Sequence, residues 1–326
     1  MPTLTALATD ERTARQLLAV IGSPGDISTG ALLSQVGAVE AIALIERDIV
    51  VPGMDAVESA VWRDRMRPRA GVDHLAAQTL SSEGYRVLIP SDPDWPTGIG
   101  DLGDRAPYAL WARGRTDLLG NTLSRFVTVT GARAATAYGT HITEDLAGEL
   151  ARNGKTLVAG AAYGIEGSVH RAALAEGGNT IAVLASGIDR PYPAGHSELV
   201  ASVARAGLVL SEAPPSVAPT RQRFLDRSRI LAAISGATVV VEAGFRSGAL
   251  RTAHEANALG RIVGAVPGPI TSAASSGTNH LLQDGGAEVI VRASDVVRAL
   301  DDEDAPEWNA IRSGASRSVS PASRAL

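Results

Sequence analysis

The chain has 326 residues and a formal net charge of −5; 45% of its residues are hydrophobic and 4% are aromatic. This length suffices for one large domain and a smaller appendage, and the absence of cysteine excludes disulfides, thiol nucleophiles and cysteine–zinc sites. The negative charge argues against unspecific coating of nucleic acid but permits a local basic patch. The N-terminus lacks a secretory signal pattern, and no run approaches the roughly 18 apolar residues of a membrane-spanning helix. We therefore expect a cytoplasmic protein that does not contact membranes.

Residues 1–62 are predicted to form a small helical domain. Leu17, Leu18 and Leu32 belong to a set of apolar positions at helical spacing, which glycine and proline interrupt. So short a unit buries little core by itself, and we expect it to pack on the domain that follows. Residues 63–83 begin with alternating arginines and are predicted to be a solvated linker.

Residues 84–300 alternate short apolar runs with helical stretches. Strands are predicted at 87–90, 126–130, 156–159, 180–184, 208–210, 238–241, 262–266 and 288–291. Helices are predicted at 137–152, 165–176, 196–206, 225–234, 249–259 and 279–283. This alternation predicts the α/β class, with an extended Rossmann-like, doubly wound, mostly parallel sheet that is covered on both faces. Residues 301–326, acidic and then rich in Ser, Arg and Ala, are predicted to be a disordered tail.

Two loops at the carboxyl ends of predicted strands are candidates for ligand contact, since helix N-termini at this edge favour phosphate. Gly131 allows a tight turn after the strand 126–130, and Arg133 is placed to meet a phosphate, although both residues also suit an ordinary strand–helix turn. In the next loop, Gly160 and Gly164 permit close approach of a ligand. Tyr163 between them either stacks on a base or packs under the loop.

Two further loops belong to the same edge. The irregular stretch that contains Ser186 and Gly187 is expected to form the rim of a pocket, where Asp189 either holds a ribose or caps a turn. Ser247 and Gly248 follow a buried strand and open a helix, an arrangement typical of an anion-binding nest.

The highest local density of positive charge is a run of four arginines within nine residues: Arg221, Arg223, Arg227 and Arg229. Such a run predicts a track for a phosphate backbone, with a structural network of ion pairs as the alternative. The six histidines show no metal-ligand spacing, and no acid–base pair or Ser–His arrangement stands out. We therefore expect a polyanion-binding edge without catalytic residues, metal or cofactor.

Nine motifs follow one another from about residue 84 to 290: GYRVLIPSDPDWPTGIGDLGDRAPYALWARG, GARAATAYG, AGAAYGIEGSVH, TIAVLASGIDRPYP, LVLSEAPP, RFLDRSRILAAIS, VVVEAGFRSGALRTA, GRIVGAVPG and GTNHLLQDGGA. In these motifs, and in their order, the chain resembles the DprA/Smf family. The resemblance implies a Rossmann-like domain preceded by a small sterile-alpha-motif-like (SAM-like) domain. It implies a homodimer, not an enzyme, that binds single-stranded DNA and loads the RecA recombinase during DNA uptake by transformation.

The resemblance also assigns residues to the DNA site by position. Arg133, Arg227 and Arg229 would line the DNA pocket, and Ser247 and Gly248 match the family's Ser-Gly nest. The chain departs from the family in having Tyr163 where a basic residue is usual, Glu166 for an aspartate and Ser228 for an asparagine, and it shows no winged-helix pattern at its end.

Two alternatives to the DNA-binding interpretation share the same fold. One is a sensor that binds a small nucleotide in the same pocket, which the loss of a basic residue at Tyr163 favours. The other is an enzyme similar to the LOG-type phosphoribohydrolases, but Pro267-Gly268-Pro269 interrupts the Pro-Gly-Gly-x-Gly-Thr-x-x-Glu signature of that group.

Overall fold

The computed structural model describes residues 3–68, 72–81 and 84–303. Its N-terminal part is helical, with α1 Leu4–Leu7, α2 Glu11–Ile21, α3 Ile27–Glu46, α4 Ala56–Met66 and α5 Val72–Ser81. Aspartates begin three of these helices, because a carboxylate satisfies the free amides of a first helical turn; these N-caps are Asp10, Asp26 and Asp55. The sequence therefore carries its own start signals for the helical part.

The helix α3 has the length and composition of a membrane span, alone among the helices of the described ranges. Its mean hydropathy reaches 1.4 over 18 residues, of which 44% are buried. Two helices in fact meet at Gly37, where φ is 76° and ψ is 174°. Leu32, Ile42 and Leu44 of α3 lie in the core. Packing against the rest of the chain accounts for the apolar character of α3.

A nine-stranded sheet forms the larger part of the described structure. Its strands are β1 Arg86–Leu88, β2 Leu110–Gly114, β3 Phe126–Thr130, β4 Thr156–Ala159, β5 Thr180–Leu184, β6 Leu208–Ser211, β7 Ala237–Val240, β8 Ile262–Ala265 and β9 Glu288–Val289. They lie in the order β1-β2-β6-β5-β4-β3-β7-β8-β9. The seven strands from β6 to β9 are parallel, whereas β1 and β2 pair antiparallel at one edge. The predicted Rossmann-like, mostly parallel sheet is confirmed, with β2 as an additional strand.

Helices cover both faces of the sheet. They are α6 Ala137–Arg152, α7 Ile165–Ala175, α8 Ser197–Ala206, α9 Arg221–Ala233, α10 Gly248–Ala258, α11 Ser276–Gln283 and α12 Ala293–Glu303. Val127 and Val129 of β3 pack with Leu150 of α6 on one face, while Phe126 packs with Leu231 of α9 on the other. Successive strand residues point to opposite faces, and both faces are apolar here because both are covered.

The N-terminal helices share one apolar cluster with the sheet, as the sequence predicts. Leu17 and Leu18 of α2 belong to the same buried cluster as Trp111 of β2, Leu184 of β5 and Val209 of β6. The helical part and the sheet are thus joined by a common core.

Two boundaries differ from the prediction. Arg63 and Arg65 belong to α4, and Val72–Ser81 forms α5, so the segment 63–83 is largely helical where the structure describes it, not a linker. The helix α12 runs to Glu303 and takes in the first residues of the predicted tail. Residues 304–326 lie outside the described residues.

Candidate nucleic-acid interface

A cavity of about 300 Å³ lies where the strand order reverses, between β3 and β7. Ligands of doubly wound sheets bind at such a switch point, at the carboxyl ends of the strands. The loops after β3, β4 and β7 and the exposed start of α9 surround it. This switch-point cavity is lined by Thr130, Gly131, Arg133, Ala162, Glu166, Phe224, Leu225, Arg227, Ser228, Ser247, Gly248, Ala249 and Thr252.

Arg133 is the exposed cation of the switch-point cavity. Its guanidinium carbon lies 4.4 Å from the ring centroid of Phe224, a cation–π arrangement. The Arg133 side chain forms no ion pair within the described residues. An exposed guanidinium that faces a cavity without a carboxylate partner is available for a phosphate.

Arg227 lies in the same cavity but is already paired. Its side chain is only 10% exposed, and Nη2 donates to Glu166 Oε1 at 2.8 Å. Burial works against ionisation of Glu166, but the charge of Arg227 and the amide of Ala162 together hold the pKa of Glu166 below its ordinary value. Glu166 is therefore a carboxylate at neutral pH and balances the charge of Arg227. The Nε of Arg227 is buried and has no hydrogen-bond partner in the described structure.

An aromatic pair at the mouth of the cavity was not predicted from the sequence. Phe224 contacts both arginines of the cavity, with the Arg227 guanidinium 5.3 Å from its ring centroid. Tyr192 contacts Phe224 edge to face at 5.9 Å. The signal for Phe224 was present, because it is the aromatic residue inside the run of four arginines. An aromatic face beside free positive charge can stack a base while the phosphate is held next to it.

Three predicted glycines allow the loops to approach one another. A Cβ on Gly160 would lie 2.0 Å from Arg227 Nη1, so only glycine leaves room for the arginine–glutamate pair. Gly164 has φ +74°, and a Cβ there would lie 2.3 Å from Ala132 O. A Cβ on Gly131 would lie 2.8 Å from Glu242 O. These glycines shape the cavity through close packing of the protein itself.

Ser247 and Gly248 lie on the far wall of the cavity. Ser247 is the N-cap of α10, where its Oγ accepts from the amide of Ala249 at 3.3 Å. A Cβ on Gly248 would meet nothing within 4 Å, so this residue faces open space. The amide of Ser247 donates to Gly244 O at 2.9 Å, so of these two residues only Gly248 has an amide without a protein acceptor in the described structure. A single amide at a helix start is a weaker anion site than the predicted nest.

The expectation that Arg229 lines the same pocket is wrong. Its side chain is 3% exposed, and its guanidinium donates to both carboxylate oxygens of Glu212 and to the carbonyls of Arg105 and Asp226. Burial alone would lower the pKa of Arg229, but the charge and hydrogen bonds of Glu212, together with the charges of Asp226 and Glu255, outweigh burial and raise that pKa. For Arg229 the alternative interpretation, a structural ion pair, is the correct one.

Arg223 also lies outside the switch-point cavity. It borders a much smaller cavity, whose lining includes Pro24 and Glu212. Burial lowers the pKa of Arg223, against the opposing charges of Glu212 and Asp226.

The polar groups of the loop after β5 are hydrogen-bonded to other groups of the protein. Ser186 is buried and its Oγ donates to Arg190 O at 2.7 Å, while the amide of Gly187 donates to Val217 O. Asp189 accepts from the amide of Ser216 at 2.7 Å, so it caps a turn. Ser186 and Gly187 support the sheet edge and do not line the switch-point cavity.

Tyr163 is half-exposed beside the cavity without lining it. Its ring packs edge to face on His196 at 4.7 Å. A Cβ on Gly195 would lie 2.4 Å from the Tyr163 hydroxyl, so the ring covers the loop after β5. At this position, where a basic residue is usual in the family, the ring of Tyr163 packs over the loop that follows β5.

Glu242 is a site-organising residue that the sequence did not reveal. It is 1% exposed and accepts from both the amide and the hydroxyl of Thr136, at 2.9 and 2.6 Å. This buried carboxylate ties the loop after β3 to the end of β7. In the described part of the chain, no group of three or more His, Asp or Glu side chains could hold a metal ion.

Comparisons with known proteins bear on the fold and the family of this chain. A DprA-named protein of Mycobacterium tuberculosis (strain ATCC 25618 / H37Rv) is 45% identical over 290 residues, which cover 86% of this chain and 72% of that protein. The X-ray structure of DNA processing protein A from Streptococcus pneumoniae superposes with a TM-score of 0.67 at 28% identity, covering 90% of this chain and 95% of that one. The structure of a Helicobacter pylori DNA processing protein A, studied for its single-stranded DNA binding mode, superposes with a TM-score of 0.60 at 30% identity. The match covers 67% of this chain and 96% of that one. Residues 86–301 match the family described as DNA recombination-mediator protein A, and the chain belongs to that family.

Proposed function

We propose that this chain binds single-stranded DNA in the switch-point cavity. The observation that carries the proposal is Arg133, an exposed and unpaired guanidinium over the ring of Phe224 at the mouth of the cavity. The Helicobacter pylori relative, whose single-stranded DNA binding mode has been described, has the same fold. A strand with splayed bases suits a site in which a phosphate contact and a stacking surface lie side by side.

Each wall of the cavity has a distinct role in this proposal. Arg133 contacts a phosphate, and Phe224 with Tyr192 provides a surface for a base. The amide of Gly248, at the start of α10, faces a second phosphate, and the Ser247 side chain borders it. Arg227 adds little net charge because Glu166 balances it, and it serves to hold Phe224 in place.

The test is a titration of a fluorescent oligonucleotide at two salt concentrations. Arg133→Ala should weaken binding by roughly ten- to a hundredfold, because a hydrogen bond to a charged group contributes roughly 1.5–3 kcal/mol. The slope of log affinity against log salt should become shallower by about 0.7, the value for one lost phosphate contact on a single strand. Arg113→Ala is the matched control, since Arg113 is exposed on β2 and lines none of the described cavities. Equal binding by wild type and Arg133→Ala would refute the proposal.

We further propose that the bound strand is handed to a RecA-type recombinase without any chemical turnover. The family is one of recombination mediators, which supports this role. The test is the DNA-dependent ATPase activity of the recombinase on a strand covered by single-strand-binding protein. The chain should shorten the lag before ATP hydrolysis begins, and Arg133→Ala should not. A lag that the wild-type chain leaves unchanged would contradict the role.

We propose that the chain forms a homodimer through the β9 edge of the sheet. Val289 and Val291 at this edge are both more than half exposed, and an edge strand leaves backbone groups unpaired. Sedimentation should give a dimer mass that Val289→Glu converts to a monomer. A monomeric wild type would refute this proposal.

The nucleotide sensor remains a second candidate because a cavity of about 300 Å³ has the size of a small-molecule site. Competition separates the two functions. A mononucleotide that displaces the oligonucleotide at equal concentration would favour the sensor, whereas weak competition by mononucleotides supports DNA binding.

A further inference from the structure

A second open groove runs along α10 beside the switch-point cavity. It has a volume of about 520 Å³, and Arg105, Phe245, Arg246 and Arg251 are among its lining residues. We refer to it as the α10 groove. It contains none of the residues that the sequence motifs assign to DNA apart from Ser247.

The α10 groove is positively charged on a protein that is negative overall. Three arginines line it against one carboxylate, that of Glu255. Glu255 pairs with Arg105 at 2.7 Å and with Arg251 at 3.5 Å, so it is shared between two guanidinium groups. Arg246 is exposed and has no ion pair in the described part of the chain. The groove thus retains two net positive charges, which face solvent.

An exposed aromatic ring lies next to this charge. Phe245 is 64% exposed. The centroid of its ring lies 5.1 Å from that of the His280 ring in α11. Its backbone is fixed, because the amide of Phe245 donates to Ser276 Oγ at 3.1 Å. Like Phe224 and Arg133 of the switch-point cavity, Phe245 and Arg246 bring an aromatic ring and a guanidinium to one site, here as neighbours in the chain and without a ring–cation contact.

The two sites adjoin each other. Ser247 lines both the switch-point cavity and the α10 groove. We propose that the α10 groove is a second subsite for the same single strand of DNA. It holds the sugar–phosphate backbone of nucleotides that leave the cavity past Ser247, with Arg246 at a phosphate and Phe245 against a base. The inference rests on the proposed DNA binding and adds the path of the strand.

Oligonucleotide length tests this path. A short oligonucleotide of about 4–6 nucleotides should occupy the cavity alone, and one of about 15 nucleotides should occupy both sites. Phe245→Ala/Arg246→Ala should weaken binding of the long oligonucleotide about tenfold or more and leave that of the short one unchanged. The salt slope for the long oligonucleotide should become shallower by about 0.7. Both side chains are exposed, so thermal unfolding of this variant should match that of the wild type.

Two controls separate this inference from the proposed function. Arg133→Ala should weaken binding of both lengths, while Arg113→Ala should affect neither. If Arg133→Ala acts on both lengths and the Phe245/Arg246 variant binds the long oligonucleotide like wild type, the α10 subsite is refuted and DNA binding in the cavity stands. If the Phe245/Arg246 variant loses both lengths equally, the sites are not separate and the inference is also overturned. If Arg133→Ala changes neither length, the proposed function itself fails.

Discussion

Replacement of Arg229 by methionine should destabilise the fold without changing DNA affinity. Methionine keeps much of the side-chain length but removes four hydrogen bonds, two of them to Glu212. Glu212 would then be a buried carboxylate without a counter-ion. Removal of one partner of a buried ion pair costs about 3–5 kcal/mol. For a chain of this size that corresponds to a fall in melting temperature of about 6–10 °C, at about 2 °C per kcal/mol.

The assay combines unfolding with oligonucleotide titration. Arg229→Met/Glu212→Leu should recover most of the stability lost in the single variant, because no unpaired charge remains buried. At a temperature where the variant is fully folded, its oligonucleotide affinity should equal that of the wild type, since Arg229 does not reach the switch-point cavity. A stable Arg229→Met variant with weakened DNA binding would refute this reasoning and return Arg229 to the DNA site.

Three further predictions concern other positions. Burial lowers the pKa of His170 to about 4, from an ordinary value of 6.5. Between these pH values the unfolded chain binds a proton at His170 that the folded protein does not, so the contribution of His170 to stability should be constant above about pH 6.5 and fall by about 3 kcal/mol as the pH drops to about 4. Urea unfolding across this range should show the fall in wild type and a smaller one in His170→Gln; an equal fall would contradict the assignment. Gly248→Ala should raise stability by up to about 1 kcal/mol yet weaken oligonucleotide binding, because its methyl group enters the cavity; unchanged binding would argue against a ligand at this wall. Thr136→Ala removes the N-cap of α6 and a hydrogen bond to Glu242, and should cost about 1–2 kcal/mol in thermal unfolding, whereas a neutral effect would show that the cap is dispensable.

The sequence predicted the central strands better than the edges. β3, β4 and β5 have the predicted limits, because a strand buried on both faces consists mostly of apolar and β-branched residues and ends abruptly at its turns. β2 was missed, since its residues LWARG end in a charged residue and a glycine at the antiparallel edge. The helix α5 was missed because the arginines that precede it suggested a solvated segment.

The arginines of α9 show why the site could be predicted only in part. The loop rule placed Arg133, Ser247 and Gly248 correctly at one cavity, because the carboxyl ends of parallel strands meet at one edge. The same rule does not say which residues of a helix point into the cavity and which point away from it. Arg227 and Arg229 are two positions apart, so their side chains point about 200° away from each other around the helix axis. Tertiary partners, Glu166 for one and Glu212 for the other, then decide what each does.

The cluster that joins the N-terminal helices to the sheet has a consequence for any shortened version of this protein. A chain that began at residue 84 would lose the leucines of α2 from the apolar cluster that also contains Trp111, Leu184 and Val209. The apolar surface uncovered by this loss would favour self-association. We therefore expect the small helical part to protect the sheet from self-association, in addition to any other contacts that it makes.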